Sequence, residues 1–404
     1  MSQNDVGLYR YTRFRSRGGL PEIPTRIALV RREDIDDDKL NEANETLAAI
    51  GSKWILRPES GTQPFVVALR MHYKPDRRPS RTPEVALSHL HAMPAWLDPM
   101  LLGAVAYRPH ALTRGDLGRV PVSVQMPAPE RAEPAGRRRV VALLDTAVAD
   151  HPWWVGDPAD DRFCVNAGDL NPPWDPGTRL DPPETSGKRE LAEQEGHGTF
   201  CAGLIRQIAP DARVLAVHVM ADDGTVYGDH ILNALQWLAD SRAVVRGDVV
   251  CLPVGFHPIL PADQRYLDWL AEVLGVLAQG GVTVVASAGN EGGEEPVYPA
   301  AFAASKTPEE FRLRSVGAIN VPGDRGRAYY SNGGAWVTHW EVGTSLISTF
   351  PPVNAAASAE FNLRAGSRRR RSPDPDDFSG GFARWSGTSF AAAVHAAKVA
   401  IGEA

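Results

Sequence analysis

The sequence predicts an α/β protein: a doubly wound, mostly parallel sheet with helices on both faces, preceded by a small α+β domain. Two observations support this. Beyond residue 139, apolar strand-like runs alternate with amphipathic helical stretches, a pattern that builds parallel sheets with covered faces. Between residues 25 and 110, strand and helix signals follow the order β-α-β-β-α-β, the split βαβ arrangement. Residues 1–24 are polar, rich in arginine and glycine, and expected to be irregular. Residues 111–138, rich in proline and arginine, are expected to link the small domain to a large one spanning 139–404.

In the small domain, residues 26–30 are strand-like. Asp36 is placed to cap a helix whose Leu40, Ala43, Leu47 and Ile50 share one face, with Gly51 ending it. Residues 54–56 and 65–71 are strand-like. Thr82-Pro83 opens a second helix through Ala86, Leu90 and Met93, with proline at the first helical position, and residues 103–107 form a last strand. In the large domain the strands are expected at 140–144, 214–219, 249–252, 282–286 and 313–316, and the helices at 199–208, 229–240 and 263–279. In such sheets the functional site lies beyond the carboxyl ends of the strands.

Composition narrows the function classes. Hydrophobic residues make up 43% of the 404, and the net charge is −6 with a pI near 6.0, so nothing points to nucleic acid as a partner. No apolar run is long enough to span a membrane, and the basic N-terminus lacks the apolar stretch of a secretory signal. Three cysteines, an odd and sparse count, fit a reducing compartment. A cytoplasmic protein is expected.

Four strings carry chemistry. The apolar run from Val140 ends in Asp145, whose carboxylate is placed to orient an imidazole. Gly196-His197-Gly198-Thr199 opens a helix, with small residues allowing close approach on both sides of the histidine. Ser386-Gly387-Thr388-Ser389 opens an alanine-rich helix, whose free N–H groups favour a developing anion. A buried strand ends in Gly289-Asn290, and the Asn290 amide can donate to that anion. Each string alone has a plainer reading: a turn-forming aspartate, a packed histidine, a serine N-cap, a turn asparagine.

In the order Asp, His, Asn, Ser, the four strings resemble the subtilisin-like (S8-type) serine peptidases from about Arg139 onward. The resemblance implies an endopeptidase in which Asp145 orients, His197 is general base and acid, Ser389 is the nucleophile and Asn290 completes the oxyanion hole. It implies a protein or peptide substrate bound as an added strand between Gly224-Thr225-Val226 and Pro253-Val254-Gly255, with Val297 narrowing the first specificity pocket. It also implies that residues 25–110 are a propeptide-like or docking domain whose trailing segment runs through the cleft. Cys201 matches the branch of the family with a free cysteine beneath the catalytic histidine. No cofactor, metal, nucleic acid or membrane is implied, and Asp222 and Asp223 are expected as turn residues.

Some residues depart from the family pattern. Ala147 replaces a glycine, Pro253 stands in a segment that usually lacks proline, and Ala393 replaces a proline. The chain ends soon after Ser389, which suggests an abbreviated or partner-completed enzyme. Alternative readings are a silent peptidase fold used as a scaffold, or a protease switched on by a protein partner or by self-processing. The run Arg368-Arg369-Arg370-Arg371, followed by Asp374, Asp376 and Asp377, is expected in a solvated loop, with an exosite or a regulatory cleavage site as the alternative.

Overall fold

A computed structural model describes residues 27–31, 37–49, 54–58, 66–73, 95–97 and 108–109 of the N-terminal part. It also describes residues 118–404, except 125, 177–190, 259–262, 306–311, 322–325, 355–361, 366 and 372–375. The N-terminal strands are β1 (Ile27–Arg31), β2 (Trp54–Pro58), β3 (Val66–Tyr73) and β4 (Ala95–Leu97), with helix α1 (Asp37–Ala49) after the first. Asp37 and Asp38 in the first turn of α1 suit the positive end of the helix dipole. The strands form an antiparallel sheet in the order β2-β3-β1-β4, as the split βαβ arrangement requires. The strand at Ala95–Leu97 is one the sequence does not predict. The strand expected at 103–107, the helix expected from Thr82 to Met93 and the irregular segment 1–24 lie outside the described residues.

Two short strands, β5 (Arg108–Pro109) and β6 (Val120–Pro121), lead into the large domain. There the chain runs β7 (Val140–Asp145), α2 (Pro152–Val155), β8 (Cys164–Asn166), α3 (His197–Ile208), β9 (Arg213–His218) and α4 (Gly228–Asp240). It continues through β10 (Val249–Leu252), β11 (Val254–Gly255), α5 (Asp263–Gln279), β12 (Thr283–Ser287), α6 (Phe302–Ser305) and β13 (Leu313–Ile319). Last come β14 (His339–Val342), β15 (Leu346–Thr349), β16 (Asn362–Ala365), β17 (Arg368–Arg371), β18 (Phe382–Trp385) and α7 (Thr388–Ile401).

The seven-stranded sheet has the order β14-β13-β12-β10-β7-β9-β8, and every neighbouring pair is parallel. Strand alternation explains why both faces are covered. In β7, Val140, Ala142 and Leu144 join a core with Ile231 and Leu235 of α4 and Leu270 and Leu274 of α5. Val141 and Leu143 point the other way, to Phe200 and Ile205 of α3 and the alanines of α7. Each fully buried aliphatic side chain contributes on the order of 1.5–3 kcal/mol. After β7 the chain builds β8 and β9 on one side, then crosses to β10 on the other. That reversal leaves a crevice at the carboxyl ends of β7 and β10.

The Pro/Arg-rich stretch is laid against the large domain from Gly118 onward. Arg131 donates to the carbonyls of Pro210 (2.9 Å) and Ala212 (3.2 Å). Arg138 forks onto both carboxylate oxygens of Asp161 at 2.6 Å, and Arg137 onto those of Asp248 at 2.9 and 2.6 Å.

A polar cluster fastens α7 to the edge strand β14. Glu341 accepts from Lys398 (2.7 Å) and from His395 Nδ1 (3.2 Å), while Arg314 approaches His395 Nε2 at 3.3 Å. The His339 ring lies 4.4 Å from that of His395. Burial, with His395 and Arg314 alongside, pushes His339 down to about 4. An unfolded histidine titrates near 6.5, so between those values the unfolded chain binds more protons and folding stability rises with pH. The Ser389→Ala protein is therefore expected to lose melting temperature as pH falls from about 7 to about 5. His339→Gln should flatten that slope in thermal denaturation; identical slopes would contradict the assignment.

Candidate active site

β7 delivers Asp145 to the crevice, and both its carboxylate oxygens face His197 Nδ1, at 2.7 and 2.8 Å. Oδ1 also accepts from the Thr146 N–H at 2.6 Å. His197 is the first residue of α3, capped by Gly196 with φ +84°, a left-handed conformation that glycine adopts without strain. The helix start and the strand end approach closely. A Cβ on Gly198 would stand 2.5 Å from the Thr146 carbonyl oxygen, and one on Gly196 2.5 Å from the Phe350 ring. The Gly198 N–H donates to Thr146 Oγ1 at 2.9 Å, closing the contact. Trp385 stands edge-on to the imidazole at 5.7 Å, and Phe390 tilts against it at 5.2 Å.

Ser389 is not the N-cap of α7. Gly387 caps the helix without a side-chain bond, and Ser389 Oγ instead donates to the Pro253 carbonyl just after β10, at 3.1 Å. Asn290, just after β12, accepts at Oδ1 from the Thr388 N–H (3.0 Å), and the Gly289 N–H donates to Thr388 Oγ1 (3.1 Å). Thus one sequence neighbour of Ser389 is held by Asn290 and the other packs on His197. Two buried polar atoms here, His197 Nε2 and Asn290 Nδ2, have no hydrogen-bond partner among the described residues. Left without water or ligand, each such orphan costs roughly 1–3 kcal/mol, so both are open to a bound partner. An imidazole nitrogen can accept a proton and an amide N–H can donate to an anion, and both lie against the first turn of α7, which carries the Ser389 hydroxyl. That set of parts suits acyl transfer.

Cys201 lies one turn into α3, with its thiol against Asp145. Asp145, His197 and Cys201 bring ligand-type atoms within 4.8 Å of one another. Burial, then Asp145 and Cys251, pushes the Cys201 thiol well up, so it stays protonated, and His197 Nδ1 is already committed to Asp145. The closeness of the three is accounted for by hydrogen bonding, with the imidazole Nδ1 and the thiol both turned to the Asp145 carboxylate.

The segments expected to hold substrate occupy two different local structures. Val254 and Gly255 form β11, which pairs antiparallel with β5, Val254 opposite Pro109 and Gly255 opposite Arg108. Gly224 and Thr225 lie in a turn in which the Thr225 N–H donates to Asp223 Oδ1 (2.8 Å), closed by pairing of Met220 with Val226. The side chains of Val226 and Val254 are fully buried in the core. Val297 is fully buried among Ala286, Ala288, Ala300, Ala301 and Trp336. The departures noted in the sequence are accommodated. Ala147 does not have positive φ, and Ala393 is buried within an unbroken α7.

Three contributors escape sequence reading: Thr388, Trp385 and Arg119. The Arg119 guanidinium donates to the carbonyl of Glu195 (2.9 Å) and, more weakly, to those of Glu193 and Leu191 (both 3.4 Å). It also lies 5.8 Å from Trp385 and 5.9 Å from Phe350, within cation–π range. It thus grips the loop that carries His197. Its only sequence signal is a lone arginine before the alternating run Val120-Pro121-Val122.

Residues 136–402 match the peptidase S8 family profile, described as the subtilase family. The chain belongs to the subtilase family. Membership makes it a subtilisin-like serine endopeptidase. Subtilisin BL of Lederbergia lenta is 27% identical over 237 residues, covering 56% of this chain and 72% of its own. The major intracellular serine protease of Bacillus subtilis (strain 168) is 26% identical over 184 residues, covering 42% of this chain and 51% of its own. The crystal structure of a lanthipeptide protease superposes with a TM-score of 0.46 at 21% identity, over 65% of this chain and 72% of that one. No helix among the described residues is long and apolar enough to cross a membrane.

The approach of α3 to β7 has a direct consequence for this subtilase. Gly198→Ala drives a methyl into the Thr146 carbonyl and is expected to destabilise the fold by about 1–3 kcal/mol. Urea denaturation at neutral pH reads this; an unchanged midpoint would refute the packing argument.

Proposed function

We propose that Asp145, His197 and Ser389 are the catalytic triad of this subtilase and that Asn290 is an oxyanion donor. One observation carries the reading: Asp145 holds His197 Nδ1 with both oxygens while Nε2 is buried and unpaired beside the Ser389 helix. With Nδ1–H donated to Asp145, Nε2 is left as the acceptor. Ser389 Oγ rotates from the Pro253 carbonyl to Nε2, gives up its proton and attacks the peptide carbonyl. The oxyanion takes hydrogen bonds from Asn290 Nδ2 and the Ser389 N–H; one such donor is worth about 10²–10³ in turnover. His197 then passes its proton to the departing amine. Water, deprotonated by the same nitrogen, releases the acyl group.

The substrate is an extended polypeptide paired antiparallel with Val254–Gly255, with the Gly224-Thr225-Val226 turn along its other side. Arg108–Pro109 occupies that strand position, which supports reading residues 25–110 as a propeptide-like inhibitor and 139–404 as the catalytic domain. β3 and β4 running close to α4 and α5 support the same reading. The off state ends by self-cleavage within the linker, or by a protein partner that lifts the strand. Arg119 then stays with the catalytic domain and keeps the His197 loop in place. Three free cysteines, two of them buried, support a reducing, cytoplasmic setting.

Two experiments test these assignments. A fluorophosphonate probe is expected to label Ser389, and His197→Ala to abolish labelling. Intact mass should show an N-terminal fragment lost from the natural chain but kept in Ser389→Ala. No labelling, before or after cutting between residues 110 and 117, would overturn the triad and favour a silent scaffold. Separately, the buried Val297 narrows the pocket for the residue before the cut, so a peptide library should return Gly, Ala and Ser there. Val297→Gly should admit larger residues, and a strong preference for Phe or Tyr in the natural chain would overturn this.

A further inference from the structure

Between β15 and β18 the chain leaves the fold and returns as the two-stranded ribbon β16–β17. The ribbon pairs Arg364 directly with Arg369, and Ala365 with Arg368. Arg364, Arg368, Arg369 and Arg370 are all exposed, and none makes an ion pair or hydrogen bond among the described residues. Strand alternation sends Arg368 and Arg370 to one face of the ribbon and Arg369 to the other. Both faces are therefore cationic.

This is a costly design for a solvated loop. Like charges directly opposite across a strand pair are destabilising, and a lone two-stranded ribbon is marginal in water. The root, by contrast, is rigid. Asn354 pairs with Asp377, the Phe378 N–H donates to the Val353 carbonyl (2.9 Å), and the fully buried rings of Phe350 and Phe378 stack at 4.3 Å. The same Phe350 ring presses on Gly196, the residue before His197, and lies under Arg119. Asp377, the acid at the root, is occupied in accepting from the Ser379 N–H (3.1 Å). A fixed base beside the reacting histidine thus carries an arm whose four exposed arginines make no ion pair among the described residues, while the flanking acids Asp376 and Asp377 stand at its root.

We propose that the β16–β17 arm is an exosite for an acidic segment of the polypeptide substrate, on the C-terminal side of the cut bond. The side follows from the path of the chain itself: past β5, its continuation reaches Arg119 and Phe350 at the arm's root. The choice of a polypeptide follows from charge. The whole protein carries −6 despite the arm, so an extended polyanion such as RNA or a lipid surface meets repulsion from the rest of the molecule. A short run of Asp and Glu, on a chain already held in the cleft, meets only the guanidinium groups. The inference rests on the proposed triad for the substrate's path, and its binding readout does not require turnover.

The test uses the full chain. For Ser389→Ala, first cut between residues 110 and 117 so that β5 can leave the cleft, anisotropy of a fluorescent peptide ending in eight glutamates is compared with the same peptide ending in eight lysines or in Gly/Ser. Four exposed ion pairs are expected to favour the glutamate tail about tenfold at low salt, and 0.5 M NaCl to erase the difference. Replacing Arg364, Arg368, Arg369 and Arg370 with Ser should bring the ratio to one, while the corresponding Lys set retains it, which separates charge from folding. In the active chain the tail should lower KM and leave kcat unchanged, because the contact is equal in ground and transition states. Equal binding of all three tails, or a preference that survives the Ser set, overturns the proposal. So does arm-dependent binding of a short RNA or of phosphatidylserine vesicles without a glutamate preference. Failure of the natural chain to cut the Gly/Ser-tailed peptide, with glutamate binding intact, would count against the triad alone.

Discussion

Asp145 has no solvent exposure, and a buried carboxylate is tolerable only when hydrogen-bond donors surround it. His197 Nδ1, the Thr146 N–H and the Cys201 thiol meet that need, and much of the local architecture follows from bringing them together. The start of α3 has to touch the end of β7, which rules out side chains at residues 196 and 198. Phe350 fills the space over Gly196, and Trp385 and Phe390 wall in the imidazole. The same pressure that buries the carboxylate therefore encloses the histidine as well, which is fully buried.

Against that satisfied centre stand two unsatisfied groups, His197 Nε2 and Asn290 Nδ2. Their contrast with Asp145 is chemical. In the proposed mechanism the aspartate is paired throughout the cycle, whereas the other two take partners only while bonds are changing. Ser389 shows the intermediate case: its hydroxyl rests on the Pro253 carbonyl, a weak and replaceable acceptor at the edge of β11. Proline removes a donor at that point and leaves the carbonyl, which is the only group the arrangement uses.

The central strands were legible because each is an unbroken apolar run, and α4 and α5 because their apolar periodicity agrees with their packing. The edge strands β8 and β14 were not: Cys164-Val165-Asn166 is only partly buried, and His339-Trp340-Glu341-Val342 owes its place to β13 and to contacts from α7. The Asp145, His197, Asn290 and Ser389 strings were legible because local chemistry and glycine spacing coincide in them. Arg119 was invisible, since its partners are backbone carbonyls more than seventy residues away that leave no trace in composition. Ala147 and Ala393 looked like defects in the sequence and are harmless in the fold, because backbone angle and helix continuity matter there rather than residue identity.

The brevity of β11 has its own consequence. A strand edge left open is a template for any passing chain, including another copy of the same protein. Long edges of that kind lead to aggregation. With only Val254 and Gly255 in the ladder, the edge offers too few backbone bonds, each worth about 0.5–1.5 kcal/mol net, to retain a stranger by pairing alone. A chain that stays must find other holds. On the proposed reading, loss of the covering strand would open the enzyme to substrates without making its surface adhesive.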